Sequence, residues 1–262
     1  MLFALLMLCN DPADSTCDSP ALLQAALQSN YRVLAIVRNS NSAEKLFRQL
    51  GTKEGIITVE ANVVSDDGVQ NVVDKVEAGE LPAFQHVYSC VGGMFAASSL
   101  LELSMDKVRE YMRVNFEPNL SMKTLLSSFI KTTLTYKVAY KATIPYLLKQ
   151  NHPRSTWTIC TGGSADRGHH PGPGMTQGAL FSMAVAAARE TANTNVRFNE
   201  VYLDGLVQVE PDAEAQKAGV LKSSEFAKSY KAVLAREEIK GCRVFVQNKR
   251  DLEEIRYGKM IV

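Results

Sequence analysis

The sequence predicts an α/β protein built on a doubly wound parallel sheet with helices on both faces. Three observations predict it. Short apolar runs rich in β-branched residues alternate with helical stretches almost throughout the chain. The run Tyr31–Val37 (YRVLAIV) is continuous rather than alternating, as in a strand covered on both faces. Three of the runs end in short turns, Arg38-Asn39, Gly92-Gly93 and Gly162-Gly163, which right-handed crossovers place along one edge of one sheet.

The elements follow in order. Met1–Leu8 (MLFALLML) reads as a buried first strand. A signal peptide fits it poorly, because a basic leading region is missing and the apolar run gives way early to CNDPADSTCDSP. The segment ALLQAALQS is helix-like, Tyr31–Val37 is the second strand, and Ser42–Leu50 is a short helix. Ile56–Glu60 is a strand. Asp66–Glu77 has helical spacing with acidic residues in its first turn. His86–Cys90 is a strand, and a long helical stretch starts at Ser104. Thr156–Cys160 is a strand, Thr176–Ala192 a small-residue helix, and Asn195–Tyr202 a strand. Ser223–Glu238 is a helix and Arg243–Val246 the last strand.

Composition narrows the function. The 262 residues suit one domain, 1–262, with an atypical N-terminus over 1–18 and an apparent insertion at about 121–137. A net charge of +1 and 46% hydrophobic residues argue against disorder and against a nucleic-acid footprint. No run is long enough to span a bilayer. Five scattered cysteines (Cys9, Cys17, Cys90, Cys160 and Cys242) without a CxxC pair fit a reducing, cytoplasmic setting. The four histidines, His86, His152, His169 and His170, have no partners at ligand spacing, so no structural metal is expected. The expected partner is a small-molecule substrate, with no nucleic acid and no membrane.

Four pieces carry a family resemblance: CVGG at Cys90–Gly93, RVNFEPN at Arg113–Asn119, TICTGG at Thr158–Gly163, and the helix TQGALFSMAVAAARE at Thr176–Glu190 followed by NVRFNEVYL. In that order, and in that strand–helix context, the chain resembles the short-chain dehydrogenase/reductase superfamily over roughly Ser19 to Tyr202. The wording of STWTIC and MTQGALFSMA is similar to a fungal branch. The resemblance implies a Rossmann-like fold, a dinucleotide cofactor and hydride transfer. It places Asn115 at the family's Asn, Cys160 or Thr161 at its Ser, Pro173 at its Tyr and Gln177 at its Lys.

The departures carry as much information as the matches. The family's Gly-rich turn after the first strand is missing, since the first glycine of the chain is Gly51. Asp11, Asp14 and Asp18 stand where a pyrophosphate would lie. Two readings follow, a chain that binds cofactor poorly or an N-terminus altered by exon assignment, and the intact remainder of the scaffold favours the second. Pro and Gln can neither donate the proton that carbonyl reduction needs nor hold the cofactor ribose. An iminium ion needs no such proton, because it already carries its charge. The implied activity is therefore NADPH-dependent reduction of a C=N/iminium or similar electrophile in secondary metabolism. The chain is similar to the branch that couples this step to an intramolecular Diels–Alder cyclisation in bridged, prenylated indole alkaloids. A redox-silent cyclase or isomerase, or a non-catalytic relative, is the alternative.

The candidate catalytic residues are Asp166 as counter-anion, His170 as acid/base and Asn115. Asp166 has a competing reading as a loop residue paired with Arg167, and His169 and His170 as exposed loop residues. The candidate cofactor residues are Arg38, Asn62, Val63, Gly92, Asn115 and Lys141, with Lys123 a further phosphate or carbonyl ligand. Arg38, where an NAD enzyme would carry an acidic residue, points to the 2′-phosphate of NADP(H). The small-residue helix Thr176–Ala192 is expected to pack across a subunit contact in a homo-oligomer.

Overall fold

The computed structural model describes residues 3–7, 19–63, 65, 67–91, 99–120, 139–168, 170–210 and 219–261. Its centre is an eight-stranded sheet. The first strand, β1 (Phe3–Met7), pairs in parallel with β2 (Arg32–Val37) on one side and β4 (His86–Ser89) on the other. β3 (Ile56–Glu60) lies outside β2. Beyond β4 come β5 (Thr156–Gly162), β6 (Arg197–Leu203) and β9 (Cys242–Val246), all parallel. β10 (Arg256–Lys259) closes that edge antiparallel to β9, which gives the order β10-β9-β6-β5-β4-β1-β2-β3. A separate parallel pair joins β7 (Leu206–Gln208) to β8 (Val220–Lys222).

Helices cover both faces. α1 (Ser19–Gln28), α2 (Ser40–Leu50) and α9 (Ser223–Ala235) pack on one, around a core that includes Val33, Ala35, Tyr88, Phe226 and Tyr230. α3 (Gly68–Glu77), α6 (Ala139–Gln150) and α8 (Pro171–Thr191) pack on the other, around Val73, Phe84, Trp157 and Phe198. The residues of β2 alternate between these two cores, Leu34 and Ile36 to one, Val33 and Ala35 to the other. That is why its sequence is continuously apolar. β3 is an edge strand and is only half buried. The shorter elements are α4 (Met105–Tyr111), a π-helical turn (Met112–Phe116), α5 (Glu117–Leu120), α7 (Ser164–Arg167) and α10 (Arg250–Glu253).

Most boundaries fall within a few residues of those expected. The exception with consequences is α8, which starts at Pro171 rather than Thr176. The PGPG segment reads as a loop, yet the first turn of a helix needs no N–H partners, so Pro171 and Pro173 fit there. The β7–β8 pair and β10 have no legible strand signal: two are three residues long, and β10 (RYGK) is largely exposed. Cys9, Asp11, Asp14, Cys17, Asp18, Gly92, Gly93, the stretch 121–137 with Lys123, and His169 lie outside the described residues.

One buried cation ties β6 to α9. The Arg197 guanidinium donates from Nη1 to the carbonyls of Val233 (2.9 Å), Arg236 (2.7 Å) and Ile239 (3.0 Å). Val233 lies in the last turn of that helix and Arg236 and Ile239 just beyond it, where the helix dipole favours a positive charge.

Candidate active site

A doubly wound sheet opens its crevice where strand order reverses. Here β2 and β3 extend from β1 to one side and β4 to the other, so the crevice lies at the carboxyl ends of β1 and β4.

The β2–β3 side carries an exposed cation beside a helix N-terminus. Arg38 is exposed and follows β2 directly. Asn39 then caps α2, its Oδ1 accepting the Ser42 N–H at 2.9 Å. The first turn of α2 carries no acidic residue, so helix dipole and guanidinium act together. Alongside, the Ala61 N–H donates to the Val37 carbonyl at 2.9 Å, which carries the β2–β3 pairing up to Asn62 and Val63. Asn62 is exposed and Val63 buried. A Cβ at Gly68 would lie 1.9 Å from the Asn62 carbonyl oxygen, so glycine lets α3 start against this loop. Arg38, Asn62 and Val63 are thus brought together at the ends of adjacent strands.

Across the crevice, Asn115 sits in the π-helical turn and is buried, its Nδ2 3.4 Å from Thr176 Oγ1 of α8. A π turn inserts an extra residue and is frequent at functional sites. Asn119 was not among the expected site residues. Its Nδ2 donates to the carbonyls of Asn115 (3.0 Å) and Val91 (3.1 Å), and its Oδ1 accepts from Ser89 Oγ at 2.6 Å. It clamps the end of β4 to the π turn. The one sequence signal for it is a second Asn four residues after Asn115, on the same helix face.

At the end of β5, the two residues expected at the Ser position part company. Thr161 Oγ1 donates to Glu200 Oε1 at 2.6 Å and is buried, whereas Cys160 is half-buried on the opposite face of the sheet. Glu200 is fully buried in β6 and also accepts from Arg243 Nε at 2.7 Å. Burial pushes its carboxyl above the usual range, against the pull of Thr161 and Arg243. The Gly162 N–H donates to Gln177 Oε1 at 2.7 Å, so Gln177 ties α8 to the strand end.

Asp166 lies exposed in α7 and accepts from the Tyr202 hydroxyl at 2.8 Å. Arg167 pairs instead with Asp204 at 2.8 Å, so the competing Asp166–Arg167 pair is not the one formed. Burial and the adjacent Asp166 carboxylate push the Tyr202 phenol well above its usual range. The Tyr202 ring packs against Phe181 and Phe245, beneath Arg243. His170 is exposed at the N-cap position of α8. Pro173 is buried, and a Cβ at Gly172 would come within 2.2 Å of the Tyr111 ring. Lys141 is exposed in the first turn of α6, between the buried Tyr140 and Ala142.

The structure brings Asp166 and His170 onto one exposed segment ahead of α8. It does not bring Asp166 to Asn115. Asn115 meets α8 through Thr176, while the Asp166–Tyr202 pair meets it through Phe181. Those two positions are roughly 140° apart around the helix at 3.6 residues per turn.

No protein-family model matches the chain. A curated protein does: the short-chain dehydrogenase/reductase iacG of Pestalotiopsis fici is 47% identical over 235 residues, covering 88% of each chain. The chain belongs to the short-chain dehydrogenase/reductase family. Solved structures repeat its fold at low identity. A short-chain type dehydrogenase/reductase from Mycobacterium ulcerans superposes with a TM-score of 0.72 at 13% identity, over 96% of this chain and 90% of that one. ElxO with NADP bound gives 0.69 at 13% identity, over 92% and 94%. The Rossmann-like α/β fold expected from the sequence is the family's fold. No described helix is long and apolar enough to cross a membrane.

Proposed function

We propose that this short-chain dehydrogenase/reductase is an NADP(H)-dependent reductase of a C=N bond, an iminium cation above all, in a secondary metabolite of the indole-alkaloid type, and that its pocket also guides a cyclisation. The observation that carries the cofactor reading is the pairing of exposed Arg38 with the acid-free N-terminus of α2. A guanidinium beside the positive end of a helix dipole fits a 2′-phosphate and disfavours a bare ribose edge. Asn62 and Val63 would flank the adenine from the next strand. ElxO, of the same fold, holds NADP.

The bound dinucleotide would supply hydride. The chain's own residues would supply the rest. With Pro173 and Gln177 read at the Tyr and Lys positions, the first two turns of α8 carry no Tyr of their own, and the Gln177 Oε1 is engaged by the Gly162 N–H. A substrate already carrying positive charge needs no proton at that point. The exposed Asp166 carboxylate, held by Tyr202, is suited to steady such a cation. His170 stands on the same segment to exchange a proton with substrate. Asn115, being buried, acts as a positioning residue that fixes the π turn against Thr176.

The test is a fluorescence titration of the purified protein with NADPH and NADH, repeated with Arg38→Glu. Selective NADPH binding is expected, with affinity reduced at least tenfold in the variant, about 1.4 kcal/mol or more. Turnover of cyclic iminium substrates follows, with Asp166→Asn slower. Failure to bind either dinucleotide would leave the redox-silent cyclase as the reading.

A further inference from the structure

Two segments share the pattern Cys-x-Gly-Gly: Cys90-Val91-Gly92-Gly93 and Cys160-Thr161-Gly162-Gly163. The β4–β5 register carries the same offset, with His86 opposite Thr156 and Ser89 opposite Ile159. The paired register ends there, and Cys90 and Cys160 are the next residue of each segment, so the same offset carried one residue further would set them side by side. Neighbouring strands lie about 4.8 Å apart, inside the Cα separation of roughly 4.4–6.8 Å that a disulfide spans. Both side chains pack on the face that holds Tyr88, Val201 and Tyr230, whereas Val91 belongs to the opposite core. Both are half-buried, and in this structure both are outside any disulfide.

We infer that Cys90 and Cys160 form a dithiol site at the carboxyl ends of β4 and β5, closed to a disulfide by small-molecule disulfides of the oxidised-glutathione class. One thiolate attacks the reagent and expels its first thiol. The second then displaces the reagent's remaining half from the mixed disulfide. In sum, the two cysteines lose two protons and two electrons, and the reagent is reduced to two thiols. The cross-link pins the two strand ends from which loops leave at the crevice, and so weakens cofactor binding. That consequence rests on the NADP(H) reading; the dithiol itself does not.

The experiment treats the full-length protein with oxidised glutathione, alkylates it, and maps peptides without reduction. A linked Cys90–Cys160 peptide is expected. It should disappear with dithiothreitol and in Cys90→Ser or Cys160→Ser, and persist in Cys9→Ser and Cys17→Ser. If a serine variant fails to fold, phenylarsine oxide on the wild type gives the same answer, since a dithiol protects both cysteines from alkylation together. Glutathione adducts without the cross-link, or a link from either cysteine to Cys9 or Cys17, overturn the site. NADPH titration then compares oxidised with reduced protein. Several-fold weaker binding that dithiothreitol restores is expected, and equal affinity overturns the regulatory consequence. Reduced protein that binds no NADPH overturns the cofactor reading alone, and the peptide map still decides the dithiol.

Discussion

Acid should unfold this protein in part through His86. Its ring is fully buried in β4, with Nδ1 2.9 Å from Thr156 Oγ1 and the Tyr31 ring edge-on at 4.6 Å. Nε2 has no hydrogen-bond partner among the described residues. Protonation would create a buried cation with one N–H unpaired and the Arg197 charge nearby. Desolvation, then Arg197, lowers the pKa from 6.5 to about 3. The unfolded chain takes up the proton near pH 6.5 and the folded chain near pH 3. Stability is therefore fully present above the unfolded value and falls as pH drops below it. Linkage puts the loss between pH 7.5 and pH 5 at about 2 kcal/mol, rising to roughly 4 kcal/mol by pH 3. Against a typical domain stability of about 5–15 kcal/mol, that is a large share. The assay is urea denaturation by circular dichroism at pH 7.5, 6.5 and 5, with His86→Gln beside the wild type. Subtracting the two profiles removes every other titration. The wild type should lose about 2 kcal/mol more than the variant over that interval. Parallel profiles would refute the reasoning, as would an NMR titration showing the His86 ring protonated by pH 6.

Two further predictions concern the start of α8. Gln177→Lys should destabilise the fold by about 1–3 kcal/mol, because Lys cannot accept the Gly162 N–H, while Gln177→Glu keeps an acceptor; chemical denaturation of the pair checks it. Gly172→Ala should lose about 1–3 kcal/mol by driving a methyl into the Tyr111 ring, and Tyr111→Ala in the same chain should recover part of it. Additive losses in that double-mutant cycle would show that the contact is not the cause.

Much of the scaffold was legible because local chemistry and global fold agree. The continuous apolar run of β2 can only sit between two cores, and the strand–helix alternation allows few topologies. Arg38 could be placed at one edge of the sheet for the same reason: it follows a parallel strand, and parallel strands deliver their loops to one edge. Asn62 and Val63 join it only through the family resemblance. The early start of α8 was hidden because Pro and Gly carry opposite meanings in a loop and in a first helical turn.

What the sequence by itself determined is the order of elements, the α/β class, and which residues stand at strand ends. What only the tertiary structure decided is where their side chains are spent. Thr161 turns to the buried Glu200 and Cys160 to the other face, because side chains alternate along a strand. Asp166 takes Tyr202 and leaves Arg167 to Asp204. Asn115 and Asp166 lie on different flanks of one helix. These partnerships join residues 36 to 61 positions apart, or belong to strands that meet only when the sheet closes. No local pattern encodes them, since the contact exists only once the backbone between has folded.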